Sequence, residues 1–371
     1  MRKLFSLPID WFSLLIPLLL LLTGIVTIYT ITFAAHHASL ALSQLLYAFI
    51  GLVFMAIFMF SDYRAIGSVS STLFIIGLLL LLPLLPMWAS HLPFVLKVFG
   101  AHRWLTLGFF QVQPAEIFKL IAIIFGAKFL SGRIGKVSWR AATLYILLAV
   151  ASFGLVLAQP DLGTAGCLLT IFLVLFLAAK PNWRTLAVIA ALFVVAVPLA
   201  WGHLKPYQKN RVATFLNPAS DPEGQGYNVR QALIAVGSGG LTGRGFGQGS
   251  QTVLNFLPVP HADFIFAGYA EATGFVGSMI LLGLYAFLIL RVLAIAREST
   301  DPFGQLVAIG IAAKLLFQVV VHIGINVGLL PVTGIPLPFM SYGGTAIIVD
   351  LAALGILESI HIRHKKFVFA S

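Results

Sequence analysis

A chain of 371 residues that is 60% hydrophobic and only 9% charged, with a formal charge of +11 and a mean hydropathy of +1.01, is not that of a water-soluble protein. Apolar stretches long enough to cross a hydrocarbon core of roughly 30 Å recur along its whole length, which describes one integral membrane domain over residues 1–371. The single cysteine, Cys167, excludes an internal disulfide and shows no metal-ligand spacing.

In chain order, the apolar runs predict an all-α membrane fold of ten helices near 11–33, 44–61, 72–88, 114–131, 140–158, 162–179, 184–202, 264–296, 303–330 and 342–361. The first follows Met1, Arg2 and Lys3; its apolar part is too long, and too many spans follow, for a cleaved signal. The eighth is too long to cross once, so a bend or a half-buried entry is expected there. Ten crossings put both termini on one side. The loops of that side hold Arg2, Lys3, Arg64, Lys128, Arg133, Lys136, Arg140, Lys180, Arg184, Arg291, Arg297, Arg363, Lys365 and Lys366, against Lys97 and Arg103 in the short loops opposite. The positive-inside rule then places both termini in the cytoplasm, and the charge is accounted for without nucleic acid.

Between the seventh and eighth spans, residues 203–262 form a long extracytoplasmic loop rich in Gly, Pro, Asn and Gln, a length uncommon unless functional. Its tract SGGLTGRGFGQGS, 238–250, has the flexibility to follow a substrate, and Arg244 supplies a donor for phosphate or carboxylate. No strand precedes it, so it is no nucleotide-binding turn, and an ordinary flexible loop has the same composition. Earlier in the loop, KPYQKNRV carries Lys205, Lys209 and Arg211, which either draw pyrophosphate groups or anchor the loop on anionic lipid.

Ionisable groups at membrane depth are costly and mark either a site or a compensating pair. One set gathers near the outer face: Arg103 in GAHRWLTLG, Glu116 and Lys119 in QPAEIFKL, Asp161 in QPDLGT, and His261, Asp263 and Glu271 in FLPVPHADFIFAGYAEATG. Glu116 and Lys119 are spaced to pair at i,i+3, with Glu116 complementing the positive end of a helix begun by Pro114. Asp161 repeats the capping device. Structural pairing and a polar cavity are both consistent with these positions. A deeper set holds Lys314, Asp350 and Glu358. Counting about 16 residues inward at 1.5 Å each, Lys314 and Glu358 reach equal depth and are expected to pair, while Asp350 is expected to meet water, His322 or Asn326.

No HExxH, Walker A, GxSxG or zinc-type spacing occurs. An accessible carboxylate beside basic groups suits proton abstraction from a hydroxyl while a phosphate or pyrophosphate departs. It equally suits a binding site for an anionic lipid that is moved rather than transformed. A transporter is expected to show inverted repeats or broken helices meeting near the midplane, and no internal repeat is evident.

Taken together and in this order, GAHRWLTLGFFQVQPAEIFKL, QPDLGTA, DPEGQGYNVRQALIAVGSGGLTGRGFGQGSQ, FLPVPHADFIFAGYAEATGFVG and GIPLPFMSYGGTAIIV closely resemble the SEDS family (shape, elongation, division and sporulation) across most of the chain. The short N-terminal tail and the GSGGLTGRG wording look more like the elongation member than the division member. The resemblance implies a multi-pass peptidoglycan glycosyltransferase of the bacterial cytoplasmic membrane that polymerises lipid II onto a growing lipid-linked glycan. It further implies work with a class B penicillin-binding protein and other elongation-complex proteins, with a lipid II flippase and a division-type paralogue as the alternatives. By the same resemblance Asp263 is the essential residue of the H-x-D-F-I-F motif. Arg103, Glu116, Lys119 and Asp161 fall on polar cavity positions, and Ser341, Tyr342, Gly343 and Gly344 form the SYGG turn. A divalent cation, Mg or Mn, is an expected helper of the leaving group, though no dedicated cage can be named. Where the family usually has acids before the H-x-D and after Glu271, this chain has Val259 and Ala272.

Overall fold

The structure is a computed structural model and describes residues 9–33, 39–98, 101–108, 110–188, 206–217, 221, 224–254, 256–257 and 259–368. The helices are α1 (Trp11–Phe33), α2 (Ser39–Phe60), α3 (Tyr63–Ser68), α4 (Ser70–Leu81), α5 (Pro86–Ala89), α6 (Pro114–Ser131), α7 (Trp139–Ala158), α8 (Leu162–Ala178), α9 (Pro206–Leu216), α10 (Gln225–Ser238), α11 (Ser250–Val253), α12 (Ile265–Glu298), α13 (Pro302–Asn326) and α14 (Gly344–Val368). Six described helices are long and apolar enough to cross a membrane, within α1, α2, α7, α12, α13 and α14. The expected helix at 184–202 lies largely outside the described residues, as does Lys205.

Short polar residues start several helices. Ser138 caps α7 and Asp161 caps α8, while Asp301 accepts from the Phe303 amide ahead of Pro302 in α13, so otherwise orphaned amides are met locally. The core is one continuous apolar cluster drawn from α1, α2, α4, α6, α7, α8, α12, α13 and α14. α14 packs along α2 at small residues. A side chain at Gly355 would meet the Met55 carbonyl oxygen at 2.3 Å, which is how helices approach closely where water supplies no driving force.

The all-α expectation needs correction at one place. Residues 95–112 form an antiparallel sheet, β1 (Val95–Val98), β2 (Ala101–Leu107) and β3 (Phe110–Val112), with Lys97 opposite His102 and Leu105 opposite Val112. Scanning for long apolar runs passes over such a hairpin, because its signal is short alternation rather than length. The 203–262 segment also holds more order than a loop, since it carries α9, α10 and α11.

α12 breaks as the sequence led one to expect, at Gly274, whose φ of 67° and ψ of −163° are non-helical. The tract between α10 and α11 closes the break from both sides. Arg244 and Gly245 amides donate to the Glu271 and Ala272 carbonyls, at 3.0 and 2.9 Å, while the Phe275 and Val276 amides donate to Gly240 and Leu241, at 2.8 and 3.0 Å. The buried Glu271 carboxylate accepts from the Gln251 and Thr252 amides at 2.8 and 3.1 Å. The glycine-rich tract is therefore pinned, not free to follow a ligand.

The segment before α14 runs into the bundle rather than over it. Leu337, Phe339, Met340 and Ser341 are buried, and a side chain at Gly24, midway along α1, would stand 2.6 Å from the Met340 oxygen. α14 consequently starts deep. This overturns the pairing expected from equal depth: Lys314 forms its ion pair with Asp350, both 1% exposed. Glu358 lies instead beside the start of α1, accepting from the Ser13 hydroxyl and from the Asp10 amide at 3.3 Å. The end of α13 and the start of α14 are not level, so equal residue counts from them do not give equal depth.

Candidate functional site

Four polar strands of the chain meet at one end of the bundle. The first is the turn 259–263 ahead of α12, whose three consecutive carbonyls are each held from outside. His261 O accepts from the Tyr342 amide at 2.8 Å, Ala262 O from the Ser341 hydroxyl at 2.8 Å, and Asp263 O from Asn326 Nδ2 at 3.1 Å. The His261 and Tyr342 rings meet edge to face with centroids 5.6 Å apart. Just upstream, Val259 has a φ of 45°, a strained value for a β-branched residue.

The second strand is the SYGG turn itself. Ser341 Oγ also accepts from the Leu337 amide at 2.9 Å. Gln44 of α2 spans the turn, donating to the Ser341 carbonyl at 3.0 Å and accepting from the Gly343 amide at 3.4 Å. Ser341→Ala should therefore leave the Ala262 carbonyl and Leu337 amide unpaired and cost about 1–3 kcal/mol, read as a lowered unfolding temperature in detergent.

The third and fourth strands are β2–α6 and the start of α8. Arg103 of β2 donates to the Gln159 carbonyl at 3.2 Å and to the Pro160 carbonyl, so it is fixed beside Asp161. The Asp161 carboxylate accepts from the Thr164 amide at 3.1 Å and from Gln113 Nε2 at 3.3 Å, and the Gln113 amide donates to Thr345 Oγ1 at 3.1 Å. Asp263 is half-buried. Burial pushes its carboxyl above the ordinary aspartate range, Arg103 and Arg211 pull it back down, and Asp161 pushes it up.

Arg103, Asp161, Arg211, His261, Asp263, Ser341, Tyr342 and Gly343 are thus brought to one place, by contact or by field. Glu116 and Lys119 pair at 2.7 Å as their spacing requires, but both are sealed inside, 2% and 1% exposed, and no direct contact with the Asp263 turn is formed. Arg244 turns to the Ser238 carbonyl at 2.9 Å and contributes to the closure at Gly274. Gln44, Gln113, Asn326 and Thr345 were missed as site residues. Their signal was modest: single amides or hydroxyls in apolar helices or beside them, next to loops dense in polar groups. Among the described residues no three His, Cys, Asp or Glu side chains come together to hold a metal, so the described residues do not form a cage for a divalent cation.

An apolar groove leads away from this end. A cavity of about 380 Å³ is lined by Tyr47, Phe110, Gln111 and Thr345 among others. It shares Phe54, Ile117, Ile348 and Val349 with a second cavity, of about 640 Å³, that reaches Ser61 and Asp62 at the far end.

A helical bundle with several membrane-length helices, and at one end a half-buried carboxylate within the field of two arginines, defines a polytopic membrane protein with a polar site at a bundle end. More particularly, the chain belongs to the FtsW–RodA–SpoVE family of cell cycle proteins, whose model matches residues 7–366, and it is a multi-pass protein of the bacterial cytoplasmic membrane. It is 44% identical over 268 residues to the peptidoglycan glycosyltransferase MrdB of Escherichia coli strain K12, covering 72% of each chain. Its fold is similar to that of a chain from a peptidoglycan synthase complex described as coordinating polymerization and crosslinking, at 32% identity and a TM-score of 0.80, covering 96% of this chain and 98% of the other. It is also similar to the rod shape determining protein RodA of Thermus thermophilus, at 30% identity and a TM-score of 0.71, covering 96% and 97%.

Proposed function

We propose that the chain is a peptidoglycan glycosyltransferase that polymerises lipid II for cell elongation, with Asp263 as its general base. The observation that carries the reading is a half-buried carboxylate, raised by burial, with Arg103 and Arg211 acting on it. It agrees with the relatives named MrdB and RodA.

In the reaction, the 4-hydroxyl of the GlcNAc of an incoming lipid II gives its proton to Asp263 as its oxygen attacks the anomeric carbon of the lipid-linked glycan. The anomeric carbon–oxygen bond to the pyrophosphate breaks, undecaprenyl pyrophosphate leaves, and inversion of the α-linked donor gives the β-1,4 bond. Arg103 and Arg211 meet the charge on the departing pyrophosphate. The groove from Thr345 to Asp62 takes a prenyl tail, being apolar over most of its length. No step is routed through a metal, because the described residues form no cage for one.

The orientation follows from charge: the end with Arg64, Lys128, Arg133, Arg291 and Arg363 faces the cytoplasm with both termini, and the Asp263 end faces outward. The proposed count remains ten spans, with 203–262 outside. A class B penicillin-binding protein is the proposed partner, in line with the synthase complex whose chain this one resembles. The test is a lipid II polymerisation assay on the purified protein, alone and with the transpeptidase, for wild type and Asp263→Asn. Glycan synthesis lost with the carboxylate supports the assignment; near-normal synthesis without it removes Asp263 from the chemistry. Lipid II movement without polymer in the wild type would favour the transporter reading.

A further inference from the structure

The N-terminus of α12 has a capping problem. Its N-cap residue is Phe264, which has no side chain able to accept an amide hydrogen bond, and the buried Ala267 amide would be left over. Asn326, at the end of α13 and fully buried, supplies the cap from a different helix: its Oδ1 accepts from Ala267 at 2.9 Å. The same side chain donates to the Asp263 carbonyl at 3.1 Å and to the His322 carbonyl at 2.8 Å. Both donors and the acceptor are therefore used at once. One turn earlier on α13, His322 Nδ1 donates to the Ile335 carbonyl at 2.8 Å, tying this corner to the segment that carries the SYGG turn.

We propose that Asn326 is a positioning residue for the Asp263 base: it fixes the backbone that follows the Asp263 side chain, at Asp263's own carbonyl and at the third amide of the following helix. The inference rests on the reading of Asp263 as the base. The SYGG turn holds the carbonyls of His261 and Ala262, so the turn is anchored on one side without Asn326; what Asn326 adds is the anchor on the side where the helix starts. A displacement of about 1 Å at a reacting group can cost about a hundredfold in rate, so the position of this one amide matters out of proportion to its distance from substrate.

The test uses the purified full chain, with its transpeptidase partner where activity requires it, and lipid II as the probe. Asn326→Leu is expected to lower kcat about tenfold to a hundredfold with KM for lipid II changed less than about twofold. The acidic limb of the kcat/KM profile is also expected to move, because the distances from the Asp263 carboxylate to Arg103 of β2, Arg211 of α9 and Asp161 ahead of α8 change together, with His261, His322 and Tyr342 as the other titratable neighbours. A smaller folded fraction would instead scale the rate equally at every pH. If Asn326→Leu does not fold, Asn326→Asp carries the test. Its carboxylate still accepts from Ala267 but cannot donate to the Asp263 carbonyl, so a kcat lowered together with a moved acidic limb supports positioning, whereas a wild-type kcat, or a rate scaled equally at every pH, reduces Asn326 to a helix cap and overturns it. Asp263→Asn is run in parallel. An active Asp263→Asn removes the base reading itself, whereas an inactive one beside fully active Asn326 variants removes only the positioning role.

Discussion

Asp263→Asn should lower the rate of glycan polymerisation by a factor of about 10² to 10⁴, the usual contribution of a positioned general base, while leaving lipid II binding in place. The pH dependence gives the sharper signature. The base works only as a carboxylate, so the wild-type rate is present above its pKa and is lost as pH falls through it. Burial sets that pKa above the ordinary aspartate range, so the acidic limb of kcat/KM should lie at higher pH than for an exposed aspartate, whose value is about 3.9. Arg103 favours the charged form; Arg103→Ala should therefore move the limb still higher as well as weaken binding of the pyrophosphate. A limb that stays put in Arg103→Ala, or survives in Asp263→Asn, would assign the titration to another group. Rates of polymer formation between about pH 4 and pH 8 decide it.

Lys314→Met should be the most destabilising change in the membrane core away from the site. It would strand Asp350, 1% exposed, without its cation, and breaking a buried pair from one side costs about 3–5 kcal/mol. Removing both charges, as Lys314→Met with Asp350→Leu, should recover most of the loss, because the desolvation of both ions is then avoided. Thermal unfolding in detergent of the two single variants and the double variant measures this as a cycle. Two losses that simply add would mean that the pair does not act as a unit. The Glu116–Lys119 pair offers an internal comparison. Among the described residues Glu116 Oε2 finds no hydrogen-bond partner, so its carboxylate is less completely satisfied from the outset.

What could be read without coordinates was whatever depends on local spacing. The i,i+3 pair of Glu116 and Lys119, the capping role of Asp161 and the break in α12 follow from helix geometry alone, and the H-x-D stretch announced itself as charge beside a membrane span. What failed depended on where one element ends relative to another. Lys314 was matched to Glu358 by counting from helix ends that are not level. The glycine tract reads as mobile because its partners, the carbonyls of Glu271 and Ala272 and the amides of Phe275 and Val276, are distant in sequence. The short sheet at 95–112 fell below the length at which apolar runs are recognised. Gln44 and Asn326 carry no motif; only the arrangement of their neighbours gives them a task.

The buried entry of residues 335–343 also sets a timetable. The turn that holds the Asp263 backbone is wedged against Gly24 of α1 and bonded to Gln44 of α2, and α14 reaches back to Ser13. The earliest helices to leave the ribosome thus wait for the last one, since chains are made from the N-terminus onward. A nascent chain halted before residue 335 would carry Asp263, Arg103 and Arg211 but no SYGG turn to hold the His261 and Ala262 carbonyls.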